Sequence, residues 1–269
     1  MGLQSETALA AEPVAAAETG LSSTLILGAD DSEGARDAAA LAQVLAPLLG
    51  AEVVPVHANG HGSPARQLYE EASTRHAEIV VLGSSHRGEQ GHTAPGKMLR
   101  GLVHESPSPI AVAPRGYADQ AIGPPRVIGV AFDDSPESHR ALAFAARLAT
   151  ADSAALRVIT VYTGTAPVEE PRPGVVTQRA LMQEALHRTV ADLPSELRAE
   201  PRFLLGAVAH VLAEQAELGL DLMVMGSRGY GPIRSFWLGS VSENLIRLSQ
   251  QPLVIAPRGL LDAKTSWAA

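Results

Sequence analysis

The sequence predicts an α/β protein, two doubly wound parallel-sheet units in tandem, the first lacking one helix and one strand. Three observations predict this. Apolar runs without clean alternation are separated by helical stretches, the pattern of a parallel sheet covered on both faces. Residues recur at a constant offset: Gly83 with Gly226 (226 − 83 = 143), Gly96 with Gly239, Pro109 with Pro252, and Pro114-Arg115 with Pro257-Arg258. At the front of each repeat the offset is smaller, Asp30-Asp31-Ser32 against Asp133-Asp134-Ser135 (133 − 30 = 103). The difference, 143 − 103 = 40 residues, is missing from the first half.

In the first half, Val53 to His57 reads as a strand that runs through His61-Gly-Ser-Pro64 into a helix, Ala65 to Ala72. This stretch matches Gly206 onward, and Ile110–Ala113 matches the last strand of the second half. The second half opens with a strand, Val127 to Phe132. Ser135 and Pro136 then start a helix with Ala141, Phe144, Ala145 and Leu148 on one face. Leu156 to Tyr162 is the next strand. A Pro/Gly-rich loop, Pro167 to Gly174, precedes a helix from Gln178 to Leu193. Arg202–Leu205 is a short strand, Val208 to Leu218 a helix, and Leu222 to Met225 a strand. A helix from Ser240 and a strand from Leu253 to Ala256 finish the pattern. The absent segment of the first half is the Gln178–Leu193 helix with the Arg202–Leu205 strand, so four strands are expected in one half and five in the other. Right-handed crossovers turn each half into a doubly wound layer. The Gly/Pro-rich stretch from Arg115 to Pro125 reads as the connection. It bounds a tail at 1–22, a first domain at 23–116, a linker at 117–125, a second domain at 126–260 and a C-terminal tail at 261–269.

Composition narrows the function. The chain has 269 residues, 46% hydrophobic and 4% aromatic, enough for cores built from Ala, Val, Leu and Ile. Its net charge of −8 argues against nucleic acid as a partner, because phosphate-backbone contacts need a Lys/Arg surplus. A nucleotide needs only a local nest of N–H groups and stays open. Cysteine is absent, which removes disulfides, thiolate catalysis and Cys-ligated metals. No run of about 18 apolar residues suggests a membrane span. Residues 1–22 carry Glu6, Glu12 and Glu18 with no Lys or Arg, unlike a secretory signal, so a disordered tail and a cytoplasmic protein are expected.

The chemistry concentrates after Leu222–Met225, where the chain reads Gly226-Ser-Arg228-Gly229 and continues to Gly239-Ser240, a G-x2-G-x9-G-S spacing. Glycines let backbone approach an anion, and the N–H groups of a following helix start point at it. Ser240 and Glu243 form an S-x-x-E capping box. With a phosphate present, the Ser240 hydroxyl and the Val241 N–H can donate to it, aided by the helix dipole. Asp133, at the end of the first strand, can accept from a ribose or base edge, and Thr163 can offer backbone polar groups to an adenine. Taken singly, Gly239-Ser240 reads as an ordinary cap, Asp133 as a turn residue and Arg228 as solvated. Their convergence at the carboxyl edge of one sheet is the argument for a nucleotide site.

These residues make the sequence resemble a tandem universal stress protein from about Thr24 to Gly259. The resemblance rests on the glycine-loop spacing, the D-x-S after the first strand, and the closing apolar strand followed by Pro. It implies two Rossmann-like Usp domains and an ATP site, with or without Mg, in which Gly226, Gly229, Gly239, Ser240 and Val241 take the phosphates. Asp133 and Thr163 would then stand at the adenosine. It also implies pairing of Ile110–Ala113 with Leu253–Ala256 within one chain, a pseudo-dimer that could assemble further. The first half departs from the pattern. Gly83 and Gly96 remain, but His86 stands at the second glycine, Lys97 replaces the hydroxyl, and Lys97 with Arg100 removes the capping box. With Asp30 these residues make a degenerate second site, expected to be structural.

Other chemistries find little support. His57 and His61 are four apart at a strand end, with no third ligand nearby. No G-x-S-x-G elbow and no G-x4-G-K-(S/T) loop occurs. Trp237 reads as a packing or interface residue. The expectation is an ATP-responsive regulatory module acting in the stress response through a protein partner, without enzymatic activity beyond slow incidental hydrolysis. The alternative is a nucleotide-independent dimerisation scaffold.

Overall fold

A computed structural model of the chain describes residues 23–30, 32–57, 63–85, 89–94, 96–120, 123–164, 177–227 and 240–257. In the first half, β1 (Ser23–Ala29), α1 (Glu33–Leu49), β2 (Ala51–His57), α2 (Pro64–Thr74), β3 (Ile79–Gly83), α3 (Lys97–Glu105) and β4 (Ile110–Ala113) alternate. The second half runs β5 (Val127–Ala131), α4 (Pro136–Ala151), β6 (Ala155–Tyr162), α5 (Gln178–Ala191) and β7 (Ala199–Leu205). It ends with α6 (Val208–Ala213), β8 (Leu222–Gly226), α7 (Ser240–Leu248) and β9 (Leu253–Ala256). Among the described residues four strands therefore precede residue 117 and five follow it, as the unequal offsets predict.

All nine strands form one sheet in the order β2-β1-β3-β4-β9-β8-β5-β6-β7. Every neighbouring pair is parallel except β4 and β9, which run antiparallel with Ile110 opposite Ile255, Ala111 opposite Val254 and Val112 opposite Leu253. The last strands of the two halves thus pair within the chain. Alternation sends Ala111, Ala113, Val254 and Ala256 to one face, beneath α1 and α4, and Ile110, Val112, Leu253 and Ile255 to the other, with α3 and α7. Each apolar layer is continuous across the β4–β9 seam, so the strand pairing is backed by buried side chains on both sides.

The D-D-S motif does the same local work in both halves. Asp30 Oδ1 accepts from the Ser32 N–H at 2.9 Å, and Ser32 Oγ accepts from the Ala35 N–H at the start of α1. Asp133 Oδ1 accepts from the Ser135 N–H at 3.1 Å, and Ser135 Oγ accepts from the Ser138 N–H at the start of α4. The aspartate shapes the turn and the serine satisfies an orphan helix donor.

Several boundaries differ from the pattern reading. The short strand starts at Ala199 rather than Arg202, because it pairs with β6 along its whole length from Leu156↔Ala199 to Tyr162↔Leu205. The helix expected over Val208–Leu218 stops at Ala213 and continues as one 3-10 turn, Glu214–Ala216, before Gly219, at φ +77°, turns the chain towards β8. Residues 117–119 of the 117–125 connection fold against α1. Tyr117–Asp119 forms a 3-10 turn, and the buried Asp37 carboxylate of α1 accepts from the Gly116 and Ala118 N–H groups, both at 2.8 Å. Among the described residues no helix is long and apolar enough to cross a membrane.

Candidate functional site

At the carboxyl edge of the second half lies a cavity of about 410 Å³. Its floor comes from the ends of β5, β6 and β8 and includes Asp133, Thr163 and Gly226. Val241, Ser242 and Leu245 of α7, Val208 and Leu212 of α6, and Gln178 and Met182 of α5 also line it. Four of the residues singled out in the sequence, Asp133, Thr163, Gly226 and Val241, therefore meet at one cavity although they span more than a hundred positions. Arg228, Gly229 and Gly239 lie outside the described residues, as does Trp237, and Ser240 is described only as the first backbone position of α7.

Asp133 uses Oδ1 for the Ser135 backbone and hydroxyl, and Oδ2 has no partner among the described residues. One oxygen serves the fold and the other can accept from a ligand hydroxyl. Behind it, Phe132 is buried, and the His139 ring meets it edge-on at 5.0 Å while His139 Nε2 lies 2.9 Å from Asp134 Oδ1. The end of β8 is tied to α7 by the Ser242 hydroxyl, which approaches the Gly226 and Ser227 carbonyls at 3.4 and 3.3 Å.

Two of these residues also serve the packing. A Cβ on Gly226 would lie 2.8 Å from Glu137 Cβ, so its lack of a side chain lets the first turn of α4 dock on β8. The Glu243 carboxylate, assigned to a capping box with Ser240, also reaches the first half. Its Oε1 accepts from Arg100 of α3 at 2.9 Å and from Arg247 at 3.2 Å. Arg100, read only as the residue that removes the first-half cap, crosses to the second-half helix.

The pattern reading missed Tyr162, Gln178 and Met182. Tyr162 stacks on Phe203 with ring centroids 6.4 Å apart, and the Arg179 guanidinium lies 5.9 Å from the Phe203 ring centre. Thr177 Oγ1 caps α5 at the Ala180 N–H. A helix start after a Pro/Gly-rich loop, directly following the second strand, was the available signal.

The first half carries its own cavity of about 410 Å³ at the carboxyl ends of β1 and β3, lined by Asp30, Gly83, Gly96, Lys97 and Arg115. His86 lies outside the described residues, and so does His61, the expected companion of His57. Gly96 is the N-cap of α3 with no side-chain cap, and Lys97 begins the helix exposed. Arg115 pairs with Glu33 at 3.4 Å. Among the described residues no group of three or more His, Cys, Asp or Glu could hold a metal ion.

Comparison with known proteins settles the family. A universal stress protein of Thermus aquaticus is 32% identical over 143 residues, covering 48% of this chain and 97% of that protein. The chain belongs to the universal stress protein family. The family's sequence model matches residues 125–257, which enclose β5 to β9 of this Usp chain. A Mycobacterium tuberculosis universal stress protein is 26% identical over 218 residues, or 76% of this chain and 72% of that one. The crystal structure of a universal stress protein from Archaeoglobus fulgidus superposes with a TM-score of 0.58 at 18% identity, covering 88% of this chain and 97% of that structure. The Usp fold thus accounts for the alternating, mostly parallel sheet.

Proposed function

We propose that this universal stress protein is a nucleotide-responsive regulatory module that binds ATP in the cavity of its second half. The observation that carries the reading is the convergence of Asp133, Thr163, Gly226 and Val241 on one cavity at the carboxyl edge of a parallel sheet. A volume of about 410 Å³ is within the range of small-molecule pockets. The α7 start favours anionic groups, and the free Asp133 oxygen favours a hydroxyl donor between the two ends. In this reading Ser240, Gly229 and Gly239 complete the phosphate end, and any magnesium arrives on the phosphates.

In this reading the module binds and responds rather than catalyses; among the described residues the cavity lining holds no His, Lys or Cys. The competing scaffold reading is weaker on one specific ground. The strands it would use for dimerisation, β4 and β9, already pair with each other.

The test is direct. The purified chain is denatured and the released material chromatographed, and the melting temperature is followed with added Mg-ATP. Released adenine nucleotide, or a melting temperature that climbs with Mg-ATP, is the expected result. Neither being seen refutes the reading in favour of the scaffold.

A further inference from the structure

We infer that Gln178 reads the base of the bound nucleotide and selects adenine over guanine. The inference rests on the nucleotide reading above and adds to it a residue and a specificity.

The sheet order sets the direction of the ligand. The anion-favouring end lies at β8 and α7, next comes β5 with Asp133, and then β6 with α5 above it. Strands are spaced about 4.8 Å apart, so β8 to β6 is on the order of 10 Å. That matches the reach from a nucleotide's first phosphate across its ribose to its base. A phosphate near Val241 and a ribose near Asp133 leave the base at the wall made by Thr163, Gln178 and Met182.

Gln178 is suited to that wall. It is the first residue of α5, exposed, and its amide has no partner among the described residues. Its backbone is nevertheless held. Thr177 caps the helix on one side, and on the other Arg179 packs over Phe203, which stacks on Tyr162 of β6. The helix start sets where the carboxamide can reach, and among the described residues nothing competes for it. Met182, one turn on, supplies a soft apolar surface for a ring face. The carboxamide offers one donor and one acceptor, which complements the N7 acceptor and N6 donor of adenine. Guanine presents two acceptors on the same edge, N7 and O6, and leaves the amide oxygen facing an acceptor. Among the described residues the first half has no counterpart of α5, so this wall belongs to the second-half cavity.

The test measures binding of Mg-ATP, Mg-GTP and inorganic pyrophosphate to the full chain and to Gln178→Ala and Gln178→Met. The second variant keeps the length and helix preference of the side chain. The wild type should prefer ATP by about tenfold or more, and both variants should lose that preference through weaker ATP binding. Pyrophosphate binding should not change, because it carries no base. An ATP-to-GTP ratio unchanged in the variants, or absent in the wild type, overturns the role of Gln178 and leaves the nucleotide reading intact. Wild-type protein that binds neither nucleotide overturns both.

Discussion

Gly83→Ala should be among the most damaging single-methyl additions in this chain, and the reason is geometric. A Cβ on Gly83 would lie 1.7 Å from the Gly34 carbonyl oxygen, 2.3 Å from its carbon and 2.7 Å from its Cα. All three are backbone atoms of the first turn of α1, so no rotamer change relieves the clash. Ordinary contact starts at 3.4 Å, and the turn would have to retreat by about 1.7 Å, dragging the Ser32 cap and Asp30 with it. Overpacking costs about 1–3 kcal/mol, and a contact limited by backbone belongs at the top of that range. At about 2–4 °C per kcal/mol for a chain of this size, about 3 kcal/mol lowers the melting temperature by about 6–12 °C. Gly226→Ala meets Glu137 Cβ at 2.8 Å and should cost less, about 1–2 kcal/mol. Gly96→Ala meets only Ser85 Cβ at 3.6 Å. Its backbone gain of about 0.4–1 kcal/mol roughly offsets the weaker N-cap. The assay is thermal melting of the three variants beside wild type. Gly83→Ala melting within about 2 °C of Gly96→Ala would refute the packing argument.

Arg100 and Glu243 should couple by about 0.2–1 kcal/mol in a double-mutant cycle of Arg100→Ala and Glu243→Ala, since both side chains are partly exposed. The coupling should shrink as salt is raised, and a value of zero at low salt would contradict the pair. Burial, with the Asp221 charge nearby, pushes the Tyr117 phenol from 10.0 up to about 12. Between those values the folded chain keeps a proton that the unfolded chain releases, so stability is full below pH 10 and falls as pH rises through the window. Tyr117→Phe should abolish that part of the alkaline decline in urea midpoints. An unchanged slope would count against it.

Much of this fold was readable because repeats carry their own alignment. The two offsets located the missing helix and strand, and the strand counts in the structure agree. What escaped was whatever had no partner in the other half. Gln178, Met182 and Tyr162 stand on or beside the unmatched segment, so nothing in residues 23–116 pointed to them. Helix ends escaped for a different reason. The apolar spacing of Val208–Leu218 continues past Ala213, but the backbone tightens into a 3-10 turn there, and periodicity does not register that change. The glycines were located correctly and explained incompletely. Gly83 and Gly226 fit the spacing of a phosphate loop, yet each is demanded by a helix packed on its Cα.

The seam shows what a chain with two unlike halves can do that two identical chains cannot. Arg100 and Glu243 occupy equivalent positions, 243 − 100 = 143, the offset shared by the glycines. They face each other across the local axis between α3 and α7. In a symmetric dimer such a position meets its own copy, and Arg against Arg or Glu against Glu is repulsive. Here the two positions carry unlike residues and form an ion pair because both halves belong to one chain. The same freedom lets Lys97 stand where the other half has Ser240, so that two cavities of equal volume differ in charge at their helix starts. Because β4 and β9 are antiparallel, those cavities open at opposite edges of the sheet. Arg100–Glu243 is a polar contact at the seam between them, set one turn in from each helix start.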